Sequence, residues 1–208
     1  MIDSLFIVFL TGLLILGILY ILKYITATIS VLGIVSLFVI WIVVIYNQLI
    51  RLNQRVKEAE SDVDVQLKRR ADLIPNLVET VKGYAIHEKE VLENITQARS
   101  ALLNAKTLKE EVQADNMITS ALKTLFAVAE NYPDLKANQN FLELQRELRD
   151  AEDKIMAARR FYNSVVMEYN SFLHSFPNNI FAKLFNFKPA EYFELELAEE
   201  KETPKVQF

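Results

Sequence analysis

The chain has no cysteine. That removes disulfides, thiolate metal sites, cysteine nucleophiles and lipoprotein attachment together. Histidine is nearly absent too, with only His87 and His174. Of four glycines, three (Gly12, Gly17, Gly33) fall in an apolar N-terminal stretch, and only Gly83 follows it. Sheet hairpins need residues that tolerate positive φ at their turns. A segment so poor in glycine is therefore expected to be all-α, built of long helices. No excess of positive charge exists either: the formal net charge is −4. Without a basic stripe the chain lacks the phosphate contacts that supply most nucleic-acid affinity, so no nucleic-acid partner is expected.

What the chain does have is concentrated apolarity, with 51% hydrophobic residues overall. Residues 1–46 carry only Asp3 and Lys23 as charges. Two uncharged runs, Leu5–Leu22 and Ile29–Tyr46, flank Lys23–Thr28. Each run is about 27 Å long as a helix, close to the hydrocarbon thickness of a bilayer. Residues 1–46 are thus expected to be a membrane anchor, a two-helix transmembrane hairpin with Lys23 snorkelling to the headgroups. Tyr20, Tyr24, Trp41 and Tyr46 lie towards the run ends, where aromatic rings prefer the interface. A cleaved signal peptide is the competing reading of the first run, but it lacks a basic leader and a small-residue cleavage site. A re-entrant or interfacial first run is another. Arg51, Arg55, Lys57, Lys68, Arg69 and Arg70 follow the second run, against Lys23 in the opposite loop. The positive-inside rule then puts the C-terminal domain, and the N-terminus, in the cytoplasm.

Residues 47–175 read as a long-helix bundle of coiled-coil character. Leu49, Leu52, Val56, Ala59, Val63 and Leu67 recur at three and four residues, continuing the second run without a breaker. Pro75 is expected to kink or break this rod, because it removes a backbone donor and crowds the preceding turn. The pattern resumes at Leu77, Val81, Tyr84, Glu88, Val91, Ile95, Ala98 and Leu102, so the rod is expected to reach Leu103. Asn104–Asp115 reads as a charged connector, helical in part, and Asn116–Asn131 as a further helix closed by Tyr132-Pro133-Asp134. The most regular helix, Asn138–His174, carries Phe141, Leu144, Leu148, Ala151, Ile155, Ala158, Tyr162, Val165, Tyr169 and Phe172 on one face. About 50 Å of rod results, a match for the Tyr46–Leu103 rod in an antiparallel pair. Residues 176–208 read as an aromatic cap over the bundle end, or an amphipathic foot on the membrane, followed by an acidic tail from Glu191.

No constellation of reactive groups emerges. His87-Glu88-Lys89-Glu90 superficially resembles a zincin motif, but Val91 stands where the second histidine belongs. Neither a phosphate-cradling glycine loop nor a nucleophile elbow is present, and no paired Glu-x-x-His repeat exists for a di-metal bundle. Asp62 with Asp64, and Glu143 with Glu147, read as solvated helix faces, and Glu88 as a boundary position. Lys68-Arg69-Arg70 reads as surface charge, with docking of an acidic partner as the second reading. No catalytic residue, cofactor site or metal site is therefore expected, and the chain is expected not to be an enzyme.

Three blocks carry a family resemblance: YNQLIRLNQRVKEAESDVDVQLKRRADLIPNLVETVKGYAIHEKEVLENITQAR, AVAENYPDLKANQNFLELQRELRDAEDKIMAARRFYNSVVMEYNS and FPNNIFAKLFNFKPAEYFE. Together with the ending VQF they resemble the LemA family across nearly all of Tyr46–Phe193. The resemblance implies a bacterial, membrane-anchored helical bundle with an antiparallel long-helix core and no assigned catalytic activity. Some family members lie near genes for membrane proteases or are used in membrane remodelling of organelles, and a bacterial inner-membrane location is expected here. Family members commonly have one span or a lipoprotein signal, so the second apolar run here is a departure. Two roles follow. One is a scaffold or adaptor that self-associates as a homo-oligomer or holds another membrane protein. The other is a sensory module whose bundle opens at Pro75 and Gly83 for a peptide or lipid.

Overall fold

A computed structural model describes residues 2–85 and 87–193, with side chains from residue 12 onward. The fold is all-α. Helix α1 spans Ile2–Lys82, α2 Lys89–Asn104, α3 Leu108–Ala129, α4 Pro133–Lys136, α5 Gln139–His174 and α6 Asn178–Leu184. The acidic tail beyond residue 193, including VQF, lies outside the described residues.

The expected hairpin at Lys23–Thr28 is replaced by uninterrupted helix. Nothing in that segment forces a turn, since it holds neither glycine nor proline. Its hydroxyls bond back along the helix instead of capping a break. Thr26 Oγ1 donates to the Leu22 carbonyl at 3.1 Å, Thr28 to Tyr24 at 2.8 Å and Ser30 to Thr26 at 2.9 Å. One helix long and apolar enough to cross a membrane results, and its side chains from Leu13 to Val44 are almost all exposed. The half adjoining the bundle, residues 29–46, is by itself about 27 Å long, one hydrocarbon thickness.

Pro75 neither ends nor splits α1, which continues to Lys82. The break in the expected Tyr46–Leu103 rod falls instead at Gly83–Glu88. There the Tyr84 and Ala85 amides both bond the Val81 carbonyl, at 3.0 and 2.9 Å. Helix α2 then folds back antiparallel to the end of α1. The register is fixed at Pro75: its missing N–H orphans the Ala71 carbonyl one turn earlier, and Arg99 Nε of α2 donates to that oxygen at 2.8 Å.

The connector before Asn116 is helical from Leu108 onward. Thr107 and Glu110 form a reciprocal capping box that starts α3 at Leu108. Helices α2 and α3 make a hairpin, and α5 lies antiparallel along α1. Asn138 caps α5 by accepting from the Phe141 amide. Two levels result. Far from the anchor, α1, α2, α3 and α5 form a four-helix section. Nearer to it, α1 and α5 form a two-helix stem whose buried row begins at Ile45 and Leu49. The far end is tied by side chains: Tyr132 donates to Glu88 at 2.9 Å, and Asn138 donates to the Tyr84 hydroxyl at 2.9 Å.

The stem is widened by the C-terminal segment. Asn186 takes φ 59° after α6, and the next amide, of Phe187, bonds back to the Ala182 carbonyl at 2.9 Å. Such a left-handed stop suits asparagine, whose short polar side chain tolerates it. The chain then runs as an extended strap, residues 187–193, along α5. Two Tyr-Asn pairs one heptad apart hold it. Tyr169 and Tyr162 donate to the carbonyls of Lys188 and Glu191 at 2.8 and 2.9 Å. Asn170 exchanges two hydrogen bonds with Ala190 (2.9 and 2.9 Å), and Asn163 exchanges two with Phe193 (3.1 and 2.9 Å).

Candidate functional site

Where stem meets four-helix section, the bundle buries charge. Arg70 and Asp115 are each only 2% exposed. Arg70 Nη1 lies 2.8 Å from Asp115 Oδ1 and 2.8 Å from Glu152 Oε2, and its Nη2 donates to Thr119 at 3.0 Å. Arg159 Nη2 donates to the other Asp115 oxygen at 2.9 Å. Its guanidinium carbon stands 5.4 Å from the centroid of Phe193, a cation–π distance that links the strap's end to the cluster. One network therefore joins α1, α3, α5 and the strap.

The sequence reading of Lys68-Arg69-Arg70 as surface charge fails at Arg70 alone. Lys68 and Arg69 are exposed, and Arg69 faces Asp150 at 3.6 Å. Arg70 stands in the inward stripe between Leu67 and Ile74. Asp115 likewise extends the stripe Ile118, Leu122, Leu125 and Ala129 by one step. A charge on an apolar stripe was the available signal. Taking two ions out of water costs about as much as their attraction returns, so such a cluster specifies register more than it adds stability. Asp115 has both oxygens engaged by guanidinium groups and is itself buried, so its charge faces the bundle interior rather than solvent.

Beside the network lie Glu60, Asp64 and Glu111. Burial, reinforced by Asp64 and Glu60, pushes the Glu111 carboxyl up to about 7 despite the opposing pull of Arg159. Burial also raises Asp64, and burial with the Asp64 charge raises Glu60. Asp64 is exposed, as expected of a solvated face, and its charge acts on Glu60 and Glu111 from there. Tyr162, whose hydroxyl bonds the strap, is pushed up to about 12 by burial first and then by Glu60, Glu191 and Glu111. Glu111 is the carboxyl poised to change charge near neutrality.

The remaining sequence candidates are dispersed. His87 is exposed in the turn before α2, and Glu88 beside it is occupied by Tyr132. His174 bonds the Asn170 carbonyl on its own helix at 2.7 Å. Asp62 and Glu143 are exposed. Among the described residues no group of three or more His, Asp or Glu is placed to hold a metal ion. A groove of about 830 Å³ lies between the end of α1 and α2, lined by Val78, Lys82, Leu92, Thr96, Gln97 and Ser100.

At the anchor end, aromatic rings join α6 to α1. Phe181 meets Trp41 edge-on with centroids 5.5 Å apart, and Phe185 and Phe187 meet Tyr46 at 5.0 and 6.0 Å.

Comparisons with known proteins give the family. The LemA family model matches residues 59–208. Protein LemA of Metamycoplasma hominis is 33% identical over 138 residues, 66% of this chain and 63% of that protein. The match thus spans less than two thirds of that relative's length. Magnetosome protein MamQ 2 of Paramagnetospirillum magneticum is 27% identical over 80% of this chain and 70% of its own. Magnetosome protein MamQ of Magnetospirillum gryphiswaldense is 25% identical over 79% and 70%. With a long apolar N-terminal helix leading into an all-α bundle and the family match covering most of its length, the chain belongs to the LemA family and is a membrane-associated protein.

Proposed function

We propose that this protein is a non-enzymatic scaffold or adaptor of the bacterial inner membrane, which self-associates or holds a membrane partner. The observation that supports it most is α1 itself, one helix that leaves the apolar segment and becomes the longest member of the bundle. Movement or clustering of the anchor is thereby transmitted to the bundle without a flexible joint. Its buried charges are spent on one another across three helices, which fixes shape. Arg51, Arg55 and Lys57 just beyond the apolar stretch support a bundle on the cytoplasmic side. Two of the relatives are magnetosome proteins by name, which supports a role at a membrane-bound structure. Extraction in mild detergent should give a defined homo-oligomer or a stable complex with another membrane protein. A monodisperse, partnerless monomer would argue against it.

The α1–α2 groove favours a second reading, a sensory module that takes a peptide or lipid between Val78 and Ser100. Hydrogen exchange with membrane extracts should then slow across that segment. Unchanged exchange with every extract would remove this reading.

A further inference from the structure

We propose that the Phe176–Phe185 segment is a second membrane contact, an interfacial foot that seats the bundle on the boundary between lipid headgroups and acyl chains.

The bundle's core starts before the apolar run of α1 ends. Ile45 is already buried and Ile42 packs on the core. Helix α6 covers them, and its Phe181 reaches Trp41. Trp41 lies five residues to the membrane side of Tyr46, a drop of about 7 Å along a helix. Interfacial helices sit about 5–10 Å into the headgroup boundary, so a bilayer that holds residues 29–46 necessarily brings α6 to that depth.

The side chains match the place. Phe181 and Ala182 face the bundle and are buried. Phe176, Ile180 and Leu184, four residues apart, face outward at 80%, 55% and 71% exposure. Between Glu168 and Glu191 the chain has no carboxylate, whereas Lys183 and Lys188 are both exposed. An outward apolar row flanked by lysines and free of acidic groups is complementary to phosphate headgroups above acyl chains. Continuity with the membrane-embedded part of α1 selects the bilayer as the occupant of this face.

The test uses the full chain, whose lack of cysteine allows single-site labelling. Phe176→Cys, Ile180→Cys and Leu184→Cys, with Met156→Cys on α5 as the aqueous control, are each labelled with an environment-sensitive fluorophore. The proteins are reconstituted in phosphatidylcholine–phosphatidylglycerol vesicles. Labels at 176, 180 and 184 should be blue-shifted, several-fold less quenched by iodide than the label at 156, and strongly quenched by doxyl-labelled lipid. Iodide quenching equal to that at 156 would overturn the proposal. Protection from both quenchers would also overturn it, because a second protein copy would then cover the face. Phe176 is 80% exposed and contributes no packing to lose, so that variant keeps the test valid if either α6 variant unfolds.

Discussion

Arg99 Nε donates to the Ala71 carbonyl at 2.8 Å, and Ala71 is the residue whose usual partner would be the amide of position 75. Proline there has none. The long helix keeps its continuity because a side chain from α2 supplies the donor. Arg99→Ala should therefore destabilise the bundle by about 1–3 kcal/mol, the cost of an unpaired buried acceptor. Pro75→Ala should reduce that cost by about 1 kcal/mol, since the restored amide serves the same oxygen. A denaturant double-mutant cycle measures the coupling, and strict additivity would contradict the assignment.

Arg70 and Arg69 are adjacent, but their substitutions should separate widely. Arg70→Met leaves Asp115 and Glu152 without their shared cation and should cost about 3–5 kcal/mol. Arg69→Met, at a pair with both partners half-exposed, should stay within about 1 kcal/mol. Chemical denaturation of the two variants checks the difference.

Glu111 predicts a pH dependence with a definite sign. Its carboxyl titrates near 4.5 when unfolded and near 7 when folded. The folded state therefore holds the proton more tightly. The stability Glu111 contributes is complete below pH 4.5 and is lost as pH rises through 7. Subtracting the stability profile of Glu111→Gln from that of the wild type should show this fall between those values. A flat difference would remove Glu111 from the buried group.

Asn163 and Asn170 hold the strap through paired bonds to the backbone of Phe193 and Ala190. Asn163→Ala with Asn170→Ala should abolish amide-exchange protection at both of those residues while α5 stays protected. Persistent protection would show that packing of Phe193 on Tyr162, at 4.8 Å between centroids, suffices alone.

The helical faces were legible because burial repeats at the period of the helix. Ile45 to Val81 and Phe141 to Leu173 follow that rule. The capping box of Thr107 and Glu110 was equally visible as a pattern, yet the charged composition around it masked the start of α3. The end of α1 was harder to find. The residues after Lys82 keep an apolar period across the turn, and Gly83 adopts no positive φ to announce a stop. Pro75 misled in the opposite direction, since its rescuer lies twenty-four positions away in sequence. The buried cluster combines charges from three helices, and only their place on apolar stripes hinted at it. The strap was written as the repeated Tyr-Asn-Ser at 162–164 and 169–171, a repeat whose meaning depends on what lies against it.

The scaffold reading turns on what the protein is attached to in its own membrane. Polymer-excised patches of native membrane, weighed particle by particle without detergent, measure that directly. A defined multiple of the 24.0 kDa chain, or a fixed complex with another membrane protein, is the predicted result. Single chains without partners, in patches where the bundle remains folded, would contradict it.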